Sequence, residues 1–506
     1  MHQPLYRYPG KKDFSPGWVR LHAVKDYYGM AAILDKFKNI KTSVNFSGVL
    51  LDQLYDYTQG AQDEDLRLTL KNPRYLKKEE KEYICERFFY IHFDKYIRTN
   101  PRYLQLHQKK TAGKKFSVQD LMDLQTIFNL CWFHPYTFKK DKNLRDLIKK
   151  GKNYSEEDKK YVVDAQYAVI KKIFPLYAKL RKAGRVEITV TPFYHPIMPL
   201  LYDTDVVDEF SYLKTPARRF RHPEDCHWHL QRSKEIFRKI FKDEVYGSWP
   251  SEGSISEGVA DIFVEEGFKW IGLDEGILFR SLMTENVNYE MISRQRHIIY
   301  QPYNYHGLNM FFRDRNLSDA LSFTYQGWDS AFAAQDLMQH FKRIHYHAKN
   351  IYKERMIPII MDGENAWEYY PESGVPFFEN LYEFIEKSEV IDTATPTEFL
   401  QTVKTKSLDR LAPGSWINSD FGVWVGSKTN NRNWKILKEL RDLIERNKDK
   451  ISEIDTVLEY FHIIEGSDWN WWNTYSEATG DFQTLFFAYV KEIYRLLGKT
   501  PPASIK

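Results

Sequence analysis

The chain has 506 residues, of which 42% are hydrophobic and 28% charged, and a net charge of +4. This is an ordinary globular balance, and so small a charge over so long a chain excludes a nucleic-acid-binding footprint. No apolar run approaches the ~20 residues that span a bilayer, so no membrane partner is expected. The three scattered cysteines form no disulfide framework and the opening "MHQPLYRYPGKKDF" has no apolar signal region, which predicts a soluble, cytoplasmic protein.

Aromatic residues make up 16% of the chain, with Trp 13, Tyr 34 and Phe 33. That is more than a core of this size needs. Aromatic faces stack on sugar rings or bases, although a Tyr- and Phe-rich core would also use them.

In chain order, "TSVNFSGVLLDQL" from Thr42 reads as strand, glycine, amphipathic helix. Leu66 to Lys182 is charged and helical in pattern. Its clearest stretch is "SVQDLMDLQTIFNLCWF", from Ser117 to Phe133, with apolar residues at helical spacing. "GRVEITVTPFYHP", from Gly184, is a β-branched strand stopped by prolines. "EVYGSWPSEG", from Glu244, leads into a helix with Ser254 as N-cap and Glu257 closing a capping box. "FKWIGLDEG" from Phe268, "HIIYQPY" from His297, "LNMFFRDR" from Leu308 and "MIPIIMDG" from Met356 read as further strands.

Strand alternating with helix predicts a parallel sheet, and this many units favours an α/β barrel. After "DTATPTEFL", Asp392 to Leu400, the rhythm changes to amphipathic helices: Asn433 to Lys450, Ser452 to Gly466 and Gly480 to Gly498. The expected organisation is a barrel over residues 1–390, with a helical insertion at about 66–182, and a C-terminal α-helical domain over 391–506 that completes the cleft.

An α/β barrel places its active site at the C-terminal tips of its strands. Here the tips carry Glu252, Asp274 with Glu275, Asp314, and Asp362 with Glu364. Glycoside cleavage needs two carboxylates facing a sugar: one attacks or stabilises the ring carbon, the other protonates the leaving oxygen. The protonating acid needs a raised pKa, which an apolar wall supplies. Trp249 and Trp367 stand beside Glu252 and Asp362 and are candidates for that wall. Each residue also has a plain structural role. "DG" after a strand is a common turn, Glu252 before a helix favours its dipole, Asp274 and Glu275 suit a loop, and His2 and His195 beside prolines suit hydrogen-bonded ends. "CHWH", from Cys226, lacks standard zinc spacing, and neither a metal nor a cofactor is expected.

Taken together these segments resemble glycoside hydrolase family 57, in its amylopullulanase-like and α-amylase-like branch. "HQP" (from His2), "GRVEITVTPFYHPIMPLL" (from Gly184), "GSWPSEG" (from Gly247) and "MDGENAWEYY" (from Met361) are similar to the family's first four motifs. "FRDRNLSD", "GSWINSDFGVWVG" and "EGSDWNWW" add to the likeness. The resemblance implies an incomplete (β/α)7 barrel followed by a helical bundle. It implies a retaining mechanism on α-glucans, with Glu252 as nucleophile and Asp362 as general acid/base. It also implies that His2, His195, Asp274, Asp468 and Trp469 help to hold substrate. Glu187, mid-strand, is expected either to touch substrate or to orient a neighbour.

Members of the family carry a strand before the first motif, whereas here Met1 alone precedes His2. The first barrel strand is therefore expected to be nearly missing, with residues preceding Met1 or a differently built strand as the explanations. The stretch "NTYSEATG" after Trp472 also departs from the branch. Three readings follow. They are α-amylase-type hydrolysis of α-1,4 links; a 4-α-glucanotransferase or branching enzyme with the same carboxylate pair; and a glycan-binding protein with a decayed site. The sequence leaves the oligomeric state open.

Overall fold

The computed structural model describes residues 1–364, 366–475, 480–502 and 505; half of "NTYSEATG", residues 476–479, lies outside them. A seven-stranded sheet organises the fold. Its strands are β1 (Thr42–Ser47), β2 (Val186–Thr191), β3 (Gly247–Ser248), β4 (Trp270–Asp274), β5 (Tyr303–Tyr305), β6 (Leu308–Arg313) and β7 (Lys406–Ser407). Their order is β1-β2-β3-β4-β6-β5-β7. All neighbours are parallel except β5 and β6, which form an antiparallel hairpin. Helices cover the sheet, giving the strand-and-helix layering that the alternation predicts and the incomplete barrel that the family resemblance implies. Ile271 and Leu273 of β4 are fully buried, as are Phe46 of β1, Val190 of β2, and Met310 and Phe312 of β6. Cutting either β4 side chain back to alanine costs about 2–5 kcal/mol, the usual range for a core truncation.

A run of helices from Gly48–Thr58 to Glu156–Lys182 separates β1 from β2. Within it, helix Val118–Leu130 begins at Ser117, whose Oγ accepts from the Asp120 N–H at 3.1 Å. The C-terminal region is helical: Lys428–Asn447, Ile454–Ile464, Asp468–Tyr475 and Gly480–Leu496. Among the described residues, no helix is long and apolar enough to cross a membrane.

Three local expectations need correction. "MIPIIMDG" is extended but joins no ladder. The β5 hairpin occupies the outer edge of β6, and Pro358, mid-segment, has no N–H to donate. "HIIYQPY" is a 3₁₀ turn, Arg296–Tyr300, leading into β5 rather than one strand. Helix Glu257–Glu265 starts at Ser256, not Ser254, and without a side-chain cap. Glu257 instead accepts from the Leu411 N–H at 3.1 Å.

Met1 stands in for a first strand over one residue. Its N-terminus donates to the Asn45 carbonyl at 2.8 Å and its carbonyl accepts from the Ser47 N–H at 3.0 Å. This is parallel pairing along the β1 edge that faces away from β2. Gly363 makes room for it, since a Cβ there would lie 2.6 Å from the Met1 side chain.

Candidate active site

At the C-terminal ends of the strands lies a cavity of about 1820 Å³. Glu252 and Asp362 both line it, 110 positions apart in the chain, with His2, His195, Trp249, Trp367 and Asp468.

Glu252 follows β3. Gly247 lets that strand approach β4, because a Cβ there would strike the Trp270 ring at 2.3 Å. The turn beyond puts Glu252 at φ 55°, a left-handed conformation that a glutamate rarely adopts. Such strain persists where the surroundings over-determine it. The Glu252 carbonyl accepts from the Trp416 N–H at 2.9 Å, and its carboxylate accepts from the Trp416 indole N–H at 2.6 Å. Burial, and then the charge of Asp362, push the Glu252 carboxyl up to about 8, while the Trp416 bond opposes them.

Asp362 projects into the cavity from the extended segment. Its carboxyl is also raised, first by burial and then by Glu364, against the N-terminus, His2 and Arg313. Glu364 is buried and accepts from the His2 N–H at 2.8 Å and the Tyr27 hydroxyl at 3.0 Å. The charge of Asp362 thus acts on Glu252 across one cavity.

The two histidines stack, with ring centroids 3.7 Å apart. His2 bonds Ser47 Oγ at 2.9 Å through Nδ1 and Asp468 at 3.0 Å through Nε2. His195, at φ 59°, bonds Ser467 Oγ at 2.8 Å and lies 4.0 Å from Glu252. Burial, with His2 beside it, holds His195 well below its ordinary range, so it works as a neutral ring. Trp249 and Trp416 meet edge to face at 5.3 Å, and Arg313 lies over Trp416 at 5.0 Å. Arg313 and Trp416 both line the cavity.

Asp274 and Trp469 take other places than the sequence reading gave them, and Glu187 takes the second of its two expected roles. Asp274 is fully buried and outside the cavity lining. It accepts from Arg313 Nε at 2.8 Å, from the Arg315 guanidinium, and from the Gly276 N–H. Its work is to hold Arg313. Trp469 is buried, donates to the Ile463 carbonyl at 2.9 Å, and packs on Phe486. The cavity is lined instead by Trp471 and Trp472. Helix Asp468–Tyr475 explains this, since positions i, i+3 and i+4 share a face and put Asp468, Trp471 and Trp472 together. Glu187 accepts from the Trp270 indole at 2.8 Å and the Thr397 N–H at 3.0 Å; it orients Trp270, itself a lining residue.

Glu275 and Asp314, at two other strand tips, pair with Arg296. Glu364 is one of the tip acids read from the sequence, whereas nothing in the spacing of Trp416 or Arg313 singles them out.

"CHWH" lies on helix Pro223–Phe241, as expected, and the fold brings its His229 to His462 and Glu465. His229 Nδ1 accepts from the Tyr194 backbone N–H at 3.3 Å, which leaves the ring proton on Nε2, 3.1 Å from Glu465. A metal-bound histidine would turn a ring N–H toward an acceptor, so this donor set fits a hydrogen-bonded tie better than an ion.

The glycosyl hydrolase family 57 model matches residues 1–412. No curated protein sequence matches the chain. Among solved structures, the branching enzyme of Pyrococcus horikoshii superposes with a TM-score of 0.65 at 14% identity, over 100% of this chain and 91% of that one. The α-amylase AmyC of Thermotoga maritima gives 0.62 at 14%, over 98% and 91%. The 4-α-glucanotransferase of Thermococcus litoralis gives 0.52 at 14%, over 98% and 58%. At such identities the likeness is one of fold; the family model goes further, and the chain belongs to glycosyl hydrolase family 57 as an enzyme of the glycoside hydrolase type.

Proposed function

We propose that the chain is a retaining α-glucan-active enzyme, working most simply as an α-amylase-type hydrolase of α-1,4 links. The carrying observation is that Glu252 and Asp362 share one aromatic-walled cavity, in which the charge of Asp362 raises the affinity of Glu252 for a proton. The Glu252 carboxylate attacks the anomeric carbon as the glycosidic C–O bond breaks, and Asp362 gives its proton to the departing oxygen. Water then attacks the glycosyl-enzyme, Asp362 takes back a proton, and the ester to Glu252 breaks. His2, His195 and Asp468 would bind sugar hydroxyls, with Trp249 and Trp367 against the rings.

The roles require the charge on Glu252 and the proton on Asp362. The indole N–H on Glu252 favours a charge there, and the Glu364 carboxylate beside Asp362 favours a proton there. Burial and the charge of Asp362 oppose this by raising Glu252 to about 8. Once Asp362 carries the pair's proton, the second of these pressures is gone.

Trp471 and Trp472, half-buried in the cavity wall, favour a second reading in which a sugar hydroxyl replaces water as acceptor. Branching enzymes and a glucanotransferase among the similar folds point the same way. Incubation with maltooligosaccharides separates the two. A steady rise of reducing ends supports hydrolysis, longer or branched products support transfer, and starch binding without turnover would overturn both.

A further inference from the structure

Exposed aromatic side chains leave the cavity on the Asp362 side. Phe323 and Tyr369 line its rim and are 70% and 48% exposed. Their segments are tied together, with the Tyr370 hydroxyl donating to the Leu321 carbonyl at 2.6 Å. Farther along the same chain stand Trp328 and Phe332, their ring centroids 5.4 Å apart and inclined at 31°. Trp328 is 37% exposed and Phe332 58%.

These outer rings are fixed in place. Trp328 packs at 5.2 Å against Tyr325, which is buried, bonds Asp336 at 2.7 Å and stacks toward Phe377. The Trp328 N–H donates to the Tyr325 carbonyl at 3.0 Å. Asp329 spends its carboxylate as the N-cap of helix Ser330–Ala348, accepting from the Ala331 and Phe332 N–H groups at 3.1 and 3.0 Å. That fixes the first turn, which carries Phe332. Rigid aromatic faces held toward solvent are preorganised to bind, since little further ordering is needed. The patch is continuous with the catalytic cavity through Phe323 and Gln326, both lining residues. Asp329, its near carboxylate, is engaged as a cap, so the surface suits a neutral ligand with flat apolar faces.

We propose that Phe323, Tyr369, Trp328 and Phe332 form a stacking track for the part of a long α-glucan that extends beyond the catalytic cavity. This rests on the reading of the chain as an α-glucan-active enzyme, and it adds a preference for long substrates over short ones.

The test compares the wild-type chain with Trp328→Ala, Phe332→Ala and the double variant on amylose and on maltotetraose. Mobility in amylose-containing native gels and sedimentation velocity are measured alongside. The double variant is expected to raise KM for amylose roughly tenfold, as loss of two stacking faces implies, with kcat and the maltotetraose constants unchanged. Trp328→Phe should recover most of the amylose affinity. Equal constants on amylose would overturn the track. So would an equal loss on both substrates, which marks structural damage, or loss of a self-associated species without change in amylose affinity, which marks an interface between copies. If the wild-type chain turns over neither substrate, the α-glucan reading itself fails. If it turns over both and the variants match it, the track alone fails.

Discussion

The two halves of the site are built on different terms. Glu252 stands at the end of a strand flanked on both sides by parallel partners, and every nearby backbone turn is tied. Ser248 Oγ donates to the Val190 carbonyl at 2.6 Å, Thr191 Oγ1 to the Trp249 carbonyl at 2.8 Å, and Trp416 holds Glu252 by backbone and indole. Asp362 ends a segment outside the sheet. Met356 donates to the Tyr300 carbonyl at 3.0 Å, Pro358 accepts from the Asp314 N–H at 2.8 Å, and Ile360 donates to Ser318 Oγ at 3.2 Å. A nucleophile that forms a bond to one carbon gains from a fixed position. On the proposed mechanism Asp362 must follow a leaving oxygen and then a water, and the segment that carries it is tied to neighbours outside the sheet ladder. The difference teaches that the sheet positions one carboxylate and side chains from remote parts of the chain position the other.

The largest expected effects fall on the carboxylates themselves. Glu252→Gln and Asp362→Asn should each lower kcat on α-glucan at least ~10³-fold while the fold is kept. A substrate with a good leaving group separates them. A 4-nitrophenyl α-maltooligoside needs no proton to depart, so Asp362→Asn should still release one nitrophenol per site in a burst, whereas Glu252→Gln should release none. Equal behaviour of the two variants would erase the division of roles.

Asp274 gives the next effect, on stability. Changing it to asparagine leaves Arg313 and Arg315 short of a buried counter-charge, which costs about 3–5 kcal/mol in denaturant unfolding. A change in KM with unaltered stability would instead make Asp274 a substrate ligand.

Why the sequence led to Glu252 and Asp362 but misplaced Asp274 and Trp469 follows from the same division. The alternation of strands and helices locates the strand tips, and the acids that stand at several of them are legible from local pattern alone. Whether that acid meets sugar or an arginine depends on residues brought from elsewhere: Arg315 reaches Asp274, and Arg296 reaches Glu275 and Asp314. No spacing encodes those meetings. The extended run at Met356 has the composition of a strand, yet another hairpin had taken its edge. Trp469 was a different kind of miss, because helical periodicity does separate it from Trp471 and Trp472 once the segment is read as a helix.

Smaller effects should appear as shifts of the pH profile, and in opposite directions. Trp416→Phe removes a donor that stabilises the Glu252 carboxylate. The Glu252 pKa then rises and the acid limb of kcat/KM moves up by about one pH unit. Glu364→Gln removes a negative charge that raises Asp362. The Asp362 pKa then falls and the alkaline limb moves down by about one unit. Both variants narrow the bell, each from its own side. A shift of both limbs in either variant would show that the two halves titrate as one unit.

The smallest expected effect is on thermal stability, and it isolates the Glu252 half. The folded chain raises this carboxyl to about 8 from an ordinary value of 4.5. Well below pH 4.5 the group is protonated in both folded and unfolded chains and contributes no pH dependence. Between these two values the unfolded chain releases the proton while the folded chain resists, so wild-type stability declines as pH rises. Glutamine never ionises. Glu252→Gln should therefore melt at nearly the wild-type temperature near pH 4 and roughly 2–4 °C above it at pH 8, a gain obtained by removing a group kept for function. Equal melting temperatures at pH 8 would mean that the Trp416 indole outweighs burial and that Glu252 already carries its charge in the resting site.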